Sequence, residues 1–328
     1  MAASDTVITL DRATYRLRSQ IGRSVYGTVW RAAAPDGAEV ALKLVNEARM
    51  AQAQPALRER WIASACNEIA FLRALAPWDN RHLVRLLDSG WHAGLPVLAL
   101  ELLPTDLARH LAQCRAAGTP PSFAQALDWI GQLNQALAKV HQYGWRYLDL
   151  KPANILLDPV AGVLRLADFG TNRRLAHAEP HSYAGTAQWQ APEQFIPAAD
   201  GGYATSHRSD YFALGALWYF IVTGTPLRWS SACGQAYREH LADGARQLLA
   251  AHGGALPALL ADDEARRFGA AAPPPARDAA LALLRALLDP TPADRPRHAP
   301  AISRLLAAAN VATRTMHVER ACALAQAA

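Results

Sequence analysis

The chain has 328 residues, 51% of them hydrophobic, and its 33 Lys and Arg against 28 Asp and Glu leave a net charge of +5. That length suits two modest lobes or one large domain, and the apolar content is ample for the buried core of an ordinary globular protein. The basic residues are scattered rather than blocked, which excludes a nucleic-acid-binding stripe.

Cys66, Cys114, Cys233 and Cys322 are isolated, with no C-x-x-C pair and no short spacing to His. Neither a zinc site nor a disulfide framework is signalled, and reduced cytosolic thiols are expected. Met1-Ala-Ala-Ser-Asp lacks the basic flank and apolar run of a signal peptide, and the longest apolar stretch, residues 211–222, is too short to span a bilayer. The expected location is cytoplasmic, with no membrane partner.

In chain order, three successive antiparallel strands are predicted first. Residues 15–21 alternate polar and apolar, residues 28–32 follow a Gly-bearing turn, and residues 39–45 follow the turn signal Pro35-Asp36-Gly37. One helix comes next, because Trp61, Ala65, Glu68 and Leu72 share a face, which puts Glu68 on the inward stripe. Residues 83–87 and 96–100 read as two further strands, and Glu101-Leu-Leu-Pro104 as a connector. Beyond it the pattern is helical. Ser122-Phe-Ala-Gln125 is a capping box opening a run with Phe123, Leu127, Ile130, Leu133, Leu137 and Val140 at 3–4 spacing, which Gly144 stops. Residues 210–222 are apolar nearly all round and predict a buried helix. Residues 269–275 read as a loop and 278–288 as another amphipathic helix. There is no repeat of solenoid length.

Two stretches concentrate the polar chemistry. Residues 147–154 read Tyr-Leu-Asp-Leu-Lys-Pro-Ala-Asn, and fourteen residues after that Asn comes Asp168-Phe169-Gly170. A carboxylate, an ammonium donor, an amide and a second carboxylate form the set that holds ATP and metal and orients a hydroxyl. Acid-amide-acid clusters also occur as loop hydrogen-bond networks, but D-x-K-x-x-N followed by D-F-G is too specific for that. Upstream, Ile21-Gly-Arg-Ser-Val-Tyr-Gly-Thr-Val29 carries two glycines in a turn. Taken alone, such a pair is more often a plain hairpin than a nucleotide loop. Lys43 in Val40-Ala-Leu-Lys43, taken alone, is an edge-strand lysine in solvent, and Glu68 a solvated helix carboxylate.

In this order the motifs resemble the eukaryotic-type (Hanks-type) serine/threonine protein kinase family over residues 15–308. The resemblance implies an α+β, bilobal protein-kinase-like fold. Its N-lobe, about residues 15–101, would be a small antiparallel β-sheet with one regulatory helix. Its C-lobe, about residues 105–308, would be larger and mainly α-helical. Residues 1–14 and 309–328 fall outside as terminal segments, the latter read as a frayed tail.

The family's site residues carry over one by one. Ile21, Gly22, Ser24, Gly27 and Val29 match the glycine-rich loop G-x-G-x-x-G-x-V. Lys43 would contact the α and β phosphates and pair with Glu68. Asp149 would accept or orient the substrate hydroxyl proton, Lys151 would neutralise charge on the γ-phosphoryl, and Asn154 and Asp168 would bind Mg²⁺. Val29, Ala41 and Leu156 would sandwich adenine, and Leu100 would be the gatekeeper. Glu101 and Leu103 would offer backbone groups to the base, and Asp106 would meet the ribose. Leu72, Leu86, Tyr147 and Phe169 fit the family's internal stack, Asp210 the anchor of the catalytic-loop backbone, and Glu193 with Arg295 its structural latch. The implied cofactors are ATP and Mg²⁺. The implied partner is a protein substrate with a Ser or Thr hydroxyl, with autophosphorylation and without nucleic acid.

Four departures stand out: Ser24 for the middle Gly of the loop, Trp189 for Tyr in Gly185-Thr-Ala-Gln-Trp-Gln-Ala-Pro-Glu193, and, in H-R-D, Tyr147 for the His, which preserves the stacking aromatic, and Leu148 for the Arg. Leu148 removes the side chain that grips a phosphorylated loop in many family members, so switching by loop phosphorylation is not expected. Thr171, Ser182 and Tyr183 are the candidate phosphosites, with Arg173 or Arg174 as substitute partners. The alternatives are a pseudokinase acting as a binding scaffold and a small-molecule phosphotransferase; the latter generally lacks the segment that Ala191-Pro-Glu193 matches. The Ala- and Arg-rich composition points to a GC-rich, bacterial genome.

Overall fold

The computed structural model describes residues 6–310 except 25, 54, 177–180 and 182, so Val25, Ser182, Cys322 and the tail after residue 310 lie outside the described residues. The chain forms two compact units, one of Met1–Thr105 with Leu156–Asn172, the other of Asp106–Ile155 with Arg173–Ala328.

The first unit is built on six strands: β1 (Val7–Thr9), β2 (Thr14–Arg23), β3 (Gly27–Ala33), β4 (Glu39–Val45), β5 (Leu86–His92) and β6 (Leu95–Glu101). They form one antiparallel sheet in the order β1-β2-β3-β4-β6-β5. Because side chains alternate across a strand, the register sorts two faces. One carries the core of Ile8, Leu10, Tyr15, Leu17, Ala32, Val40, Leu42, Val97 and Ala99. The other carries Lys43 opposite Val29 and Leu98, and Ala41 opposite Leu100.

The first strand extends the sheet upstream of the segment that the sequence marks as strand. Ile8 pairs with Tyr15 and is fully buried. The β1–β2 turn is tied to the opposite edge strand: Asp88 Oδ2 accepts from the Arg12 and Ala13 N–H groups, both at 3.1 Å, and from the Tyr15 hydroxyl at 3.2 Å. Burial, followed by the charge and hydrogen bond of Asp88, pushes the Tyr15 phenol up to about 12.

Two helices, α1 (Glu47–Gln52) and α2 (Pro55–Ala74), stand where one is expected. Asn46 separates them from β4 and caps α1 by accepting from the Arg49 N–H at 3.3 Å. On α2, Trp61, Glu68 and Leu72 are buried, as the spacing predicts, while Ala65 is half-buried and Phe71, off that spacing, is buried as well. The expected strand over residues 83–87 is displaced. Leu83 forms only an isolated bridge to Leu166, because the Val84 N–H donates to Leu166 O and the Leu166 N–H to His82 O. The regular strand begins at Leu86, with an irregularity before Asp88.

In the second unit α3 (Leu107–Ala116) and α4 (Phe123–Gln142) lead to the loop that carries residues 147–154. Ser122 caps α4 by accepting from the Gln125 N–H, and Gly144, at φ +79°, follows its end. After α5 (Pro192–Phe195), helix α6 (His207–Thr223) is buried along almost its whole length. It is capped by a reciprocal Ser206–Ser209 box, ends at Gly224 with φ +76°, and packs on α4. The helices α7 (Arg228–His240), α8 (Gly244–Ala251), α9 (Asp262–Ala271) and α10 (Arg277–Leu287) complete the unit with a helix over residues 299–310. The loop expected from residue 269 starts later. Gly269 lies inside α9, where a Cβ would come within 3.1 Å of Leu281 Cδ1, so this glycine serves helix packing rather than a turn.

Candidate active site

In the first unit the predicted polar residues converge on Lys43. Its Nζ donates to Glu68 Oε2 at 2.5 Å and to Asp168 Oδ1 at 2.8 Å. The Glu68 side chain is 1% exposed and that of Asp168 36%. Burial alone would push the Lys43 ammonium down, but the charges of Asp168 and Glu68 outweigh it and hold the pKa above the lysine range. Burial pushes the Glu68 carboxyl up, so its ionised form depends on Lys43. Asp168 has φ +60°, a left-handed conformation that Asp tolerates better than most residues. Beside it, the Phe169 ring lies 4.6 Å from the ring of Phe71, a residue that the sequence pattern does not single out. Leu72 is buried and Leu86 half-buried in this same unit, whereas Tyr147 is buried in the other.

The β2–β3 hairpin carries the glycine-rich stretch. Ser24 closes the turn: its N–H donates to Gly27 O at 2.7 Å, and its hydroxyl accepts from the Gly27 N–H at 3.0 Å. Asn46, 2% exposed, braces the turn by donating from Nδ2 to Ser24 O at 2.7 Å, while its own N–H donates to Tyr26 O at 2.9 Å. Sequence reasoning missed Asn46; the signal was a single amide at the junction of β4 and α1. Gly27 is needed for close approach, since a Cβ would lie 3.3 Å from Lys43 Cε and 3.2 Å from Leu44 O. Ile21, Gly22, Val29 and Leu156 are half-buried, and Ala41 and Leu100 are buried. Leu103 is half-buried. Glu101 uses its carboxylate within the unit, taking the Arg85 N–H at 2.9 Å and the Arg165 Nε at 3.2 Å. Its N–H donates to Arg85 O.

In the second unit Asp149, Lys151, Asn154 and Thr186 form a closed network. Lys151 Nζ donates to Asp149 Oδ2 and to Thr186 Oγ1, both at 2.8 Å, and the Thr186 hydroxyl donates to Asp149 Oδ1 at 2.7 Å. Asn154 Nδ2 donates to Asp149 O at 3.0 Å and to Oδ2 at 2.9 Å. Beneath the loop, Asp210 accepts from the Tyr147 N–H at 2.9 Å and the Leu148 N–H at 2.7 Å, and meets His141 Nε2 at 2.8 Å. Asp106 caps α3, accepting from the Arg109 N–H at 2.9 Å. Glu193 and Arg295 pair bidentately at 2.7 and 2.9 Å, with the Ser209 hydroxyl donating to Glu193 as well. Arg174 sits over the Trp145 ring at 3.9 Å, and Tyr183 stacks on Tyr237 at 5.0 Å.

These motifs match a family model for the protein kinase domain over residues 15–306. The chain belongs to the protein kinase family. Among relatives of this kinase chain, the serine/threonine-protein kinase PkaA of Streptomyces coelicolor is 32% identical over 237 residues, 69% of the chain and 42% of that protein. The serine/threonine-protein kinase PknL of Mycobacterium tuberculosis is 35% identical over 175 residues, 52% of the chain and 42% of the relative. Cyclin-dependent kinase F-4 of Oryza sativa is 27% identical over 215 residues, covering 65% and 42%. The kinase chain thus spans less than half the length of each of these relatives. No helix among its described residues is long and apolar enough to cross a membrane.

Proposed function

We propose that this kinase domain transfers the γ-phosphoryl group of Mg-ATP to a serine or threonine hydroxyl of a protein. The carrying observation is the network around Asp149. Thr186 and Lys151 hold its two carboxylate oxygens, which orients the carboxylate to align a substrate hydroxyl and take its proton. Lys151 offsets charge developing on the transferred group, and Lys43, kept protonated and held by Glu68, meets the α and β phosphates. Val29, Ala41 and Leu156 enclose the adenine beside Leu100. Glu101, its N–H engaged by Arg85, offers its carbonyl to the base, Leu103 offers its backbone, and Asp106 meets the ribose. Ile21, Gly22, Ser24 and Gly27 line the phosphate side.

The donor chemistry fits magnesium. Asn154 has its Nδ2 engaged by Asp149, so the amide presents oxygen as its remaining donor, and Asp168 offers a carboxylate. Among the described residues no three His, Cys, Asp or Glu side chains could cage a metal alone. An ion that takes few protein oxygens and completes its shell with water and phosphate suits such a set. When bound, Mg²⁺ supplies charge neutralisation at the phosphates. Autophosphorylation and a cytoplasmic location, with Cys66, Cys114 and Cys233 as free thiols, belong to the same proposal.

The test is incubation of the chain with γ-labelled ATP, Mg²⁺ and a generic protein substrate. Asp149→Asn is expected to lower the rate about 10²–10⁴-fold, and Lys43→Met and Asp168→Asn to abolish detectable transfer. Equal, background-level labelling by wild type and Asp168→Asn would instead establish a scaffold without turnover.

A further inference from the structure

The segment from Tyr183 to Phe195 is joined to the catalytic loop through backbone carbonyls. Leu148 has φ +67°, a conformation that non-glycine residues rarely adopt unless their surroundings impose it. Both sides of this residue are held: its N–H donates to Asp210 Oδ1 at 2.7 Å, and its carbonyl accepts from Gln194 Nε2 at 2.6 Å. The same Nε2 lies 3.4 Å from the carbonyl of Ala184, which also accepts from Gln190 Nε2 at 2.7 Å. Both glutamines are 2% exposed, so water does not compete for these carbonyls.

Between these anchors the two backbones nearly touch. Gly185 has φ +96°, and a Cβ on it would lie 2.3 Å from Leu148 O. The next residue is Thr186, whose hydroxyl reaches Asp149. A single buried amide therefore bridges the residue before Asp149 and the residue two before Thr186, and no ionised group takes part in that bridge. Tyr183, at the start of the segment, is seated by stacking on Tyr237 and by an edge contact to Tyr203 at 5.5 Å. Its hydroxyl is buried.

We propose that Gln194 is a positioning residue that locks Ala184–Thr186 onto Leu148–Asp149, so that this part of the activation segment is competent without a phosphorylated residue. The inference rests on Asp149 serving phosphoryl transfer. A lock of this kind acts through geometry: Thr186 sets the Asp149 carboxylate, and Gln194 sets the spacing between their backbones.

Two variants of the full chain separate the amide from its bulk. Gln194→Met keeps length and removes both donors; Gln194→Glu keeps shape and turns a carboxylate toward two carbonyls. Hydrogen exchange in peptides covering residues 146–150 and 183–189 reads the lock without turnover. Both variants are expected to exchange faster in both peptides, with β4 and α2 unchanged. Their kcat is expected to fall about 10–100-fold, with KM for ATP held within about twofold. Wild-type exchange and kcat in Gln194→Met would overturn the lock even with the kinase reading intact. Faster exchange in variants of a chain that transfers no phosphate would keep the lock and remove the proposed function instead. Phosphatase-treated wild type is expected to retain its rate; a rate that falls and returns after preincubation with ATP would also overturn the proposal.

Discussion

The phenol ring of Tyr26 packs on the indole of Trp61 with centroids 5.2 Å apart, tying the tip of the β2–β3 hairpin to helix α2. The helix that presents Glu68 to Lys43 therefore also steadies the glycine-rich stretch. An aromatic pair contributes about 0.5–1.5 kcal/mol beyond its burial, which is roughly 2–10-fold in an equilibrium. Tyr26→Ala is expected to raise KM for ATP by about that factor, with little change in melting temperature because Tyr26 is 42% exposed. Tyr26→Phe should behave as wild type, and steady-state kinetics at saturating protein substrate would show it.

Gly185→Ala should be among the most damaging single-atom additions in the second unit. The left-handed φ disfavours any side chain, and the new methyl would meet a backbone carbonyl that cannot swing away. Strain of about 1–3 kcal/mol is expected, with a loss of transfer rate larger than the loss of stability, because the displaced groups are Leu148 and Thr186. Thermal unfolding and phosphate transfer measured on the same preparation would reveal the disproportion.

The Glu193–Arg295 pair is a stability device. Arg295 is fully buried at its side chain and also donates to Asp289 O at 2.8 Å and Arg208 O at 3.1 Å. Removing one partner of a buried ion pair leaves an uncompensated charge, at about 3–5 kcal/mol. Arg295→Ala is expected to lose that much in urea unfolding. Arg295→Lys should recover little of it, since an ammonium cannot reproduce the bidentate fork.

The β1 strand predicts a second stability effect, outside the family match. Ile8→Ala should cost about 2–5 kcal/mol, as Ile8 belongs to the same core as Val40 and Leu42. Denaturant midpoints of wild type and variant would measure it; an unchanged midpoint would mean that the first strand contributes nothing to the core.

Alkaline titration offers a signed test at Tyr15. Its phenol is raised in the folded chain from the ordinary 10.0 to about 12, so across that window the folded state keeps a proton that the unfolded chain releases. Stability must fall as pH rises from about 10 to about 12 and lose nothing further from this group beyond it. Tyr15→Phe should show a shallower decline between those limits in denaturant unfolding.

The polar centre was readable because its residues are contiguous or tied to turn chemistry. Asp149, Lys151 and Asn154 lie within one loop and Glu68 follows from helix spacing, whereas Lys43, which taken alone reads as an edge-strand lysine in solvent, was placed only by its resemblance to the family's strand motif. What the sequence did not disclose depends on backbone atoms, which have no residue-specific signature. Asn46 acts on the carbonyl of Ser24, and Gln194 on those of Leu148 and Ala184. Thr186 was legible as part of a motif, but not as the partner of Asp149 Oδ1. Asp106 and Glu101, predicted from position alone, also have protein partners, Arg109 and Arg85, that no spacing rule would announce. The strand start at Leu86 was missed because residues 82–84 take their hydrogen bonds from Leu166, far along the chain.

Lys43 donates to two carboxylates at once, so its single ammonium is shared before anything else reaches it. On the proposed reading, a phosphate that reaches Lys43 competes with Glu68 and Asp168 for the donors of that one ammonium. Nucleotide that brings its own cation offers Asp168 a replacement partner, which frees a donor of Lys43 and ties capture of the phosphate to the counter-ion.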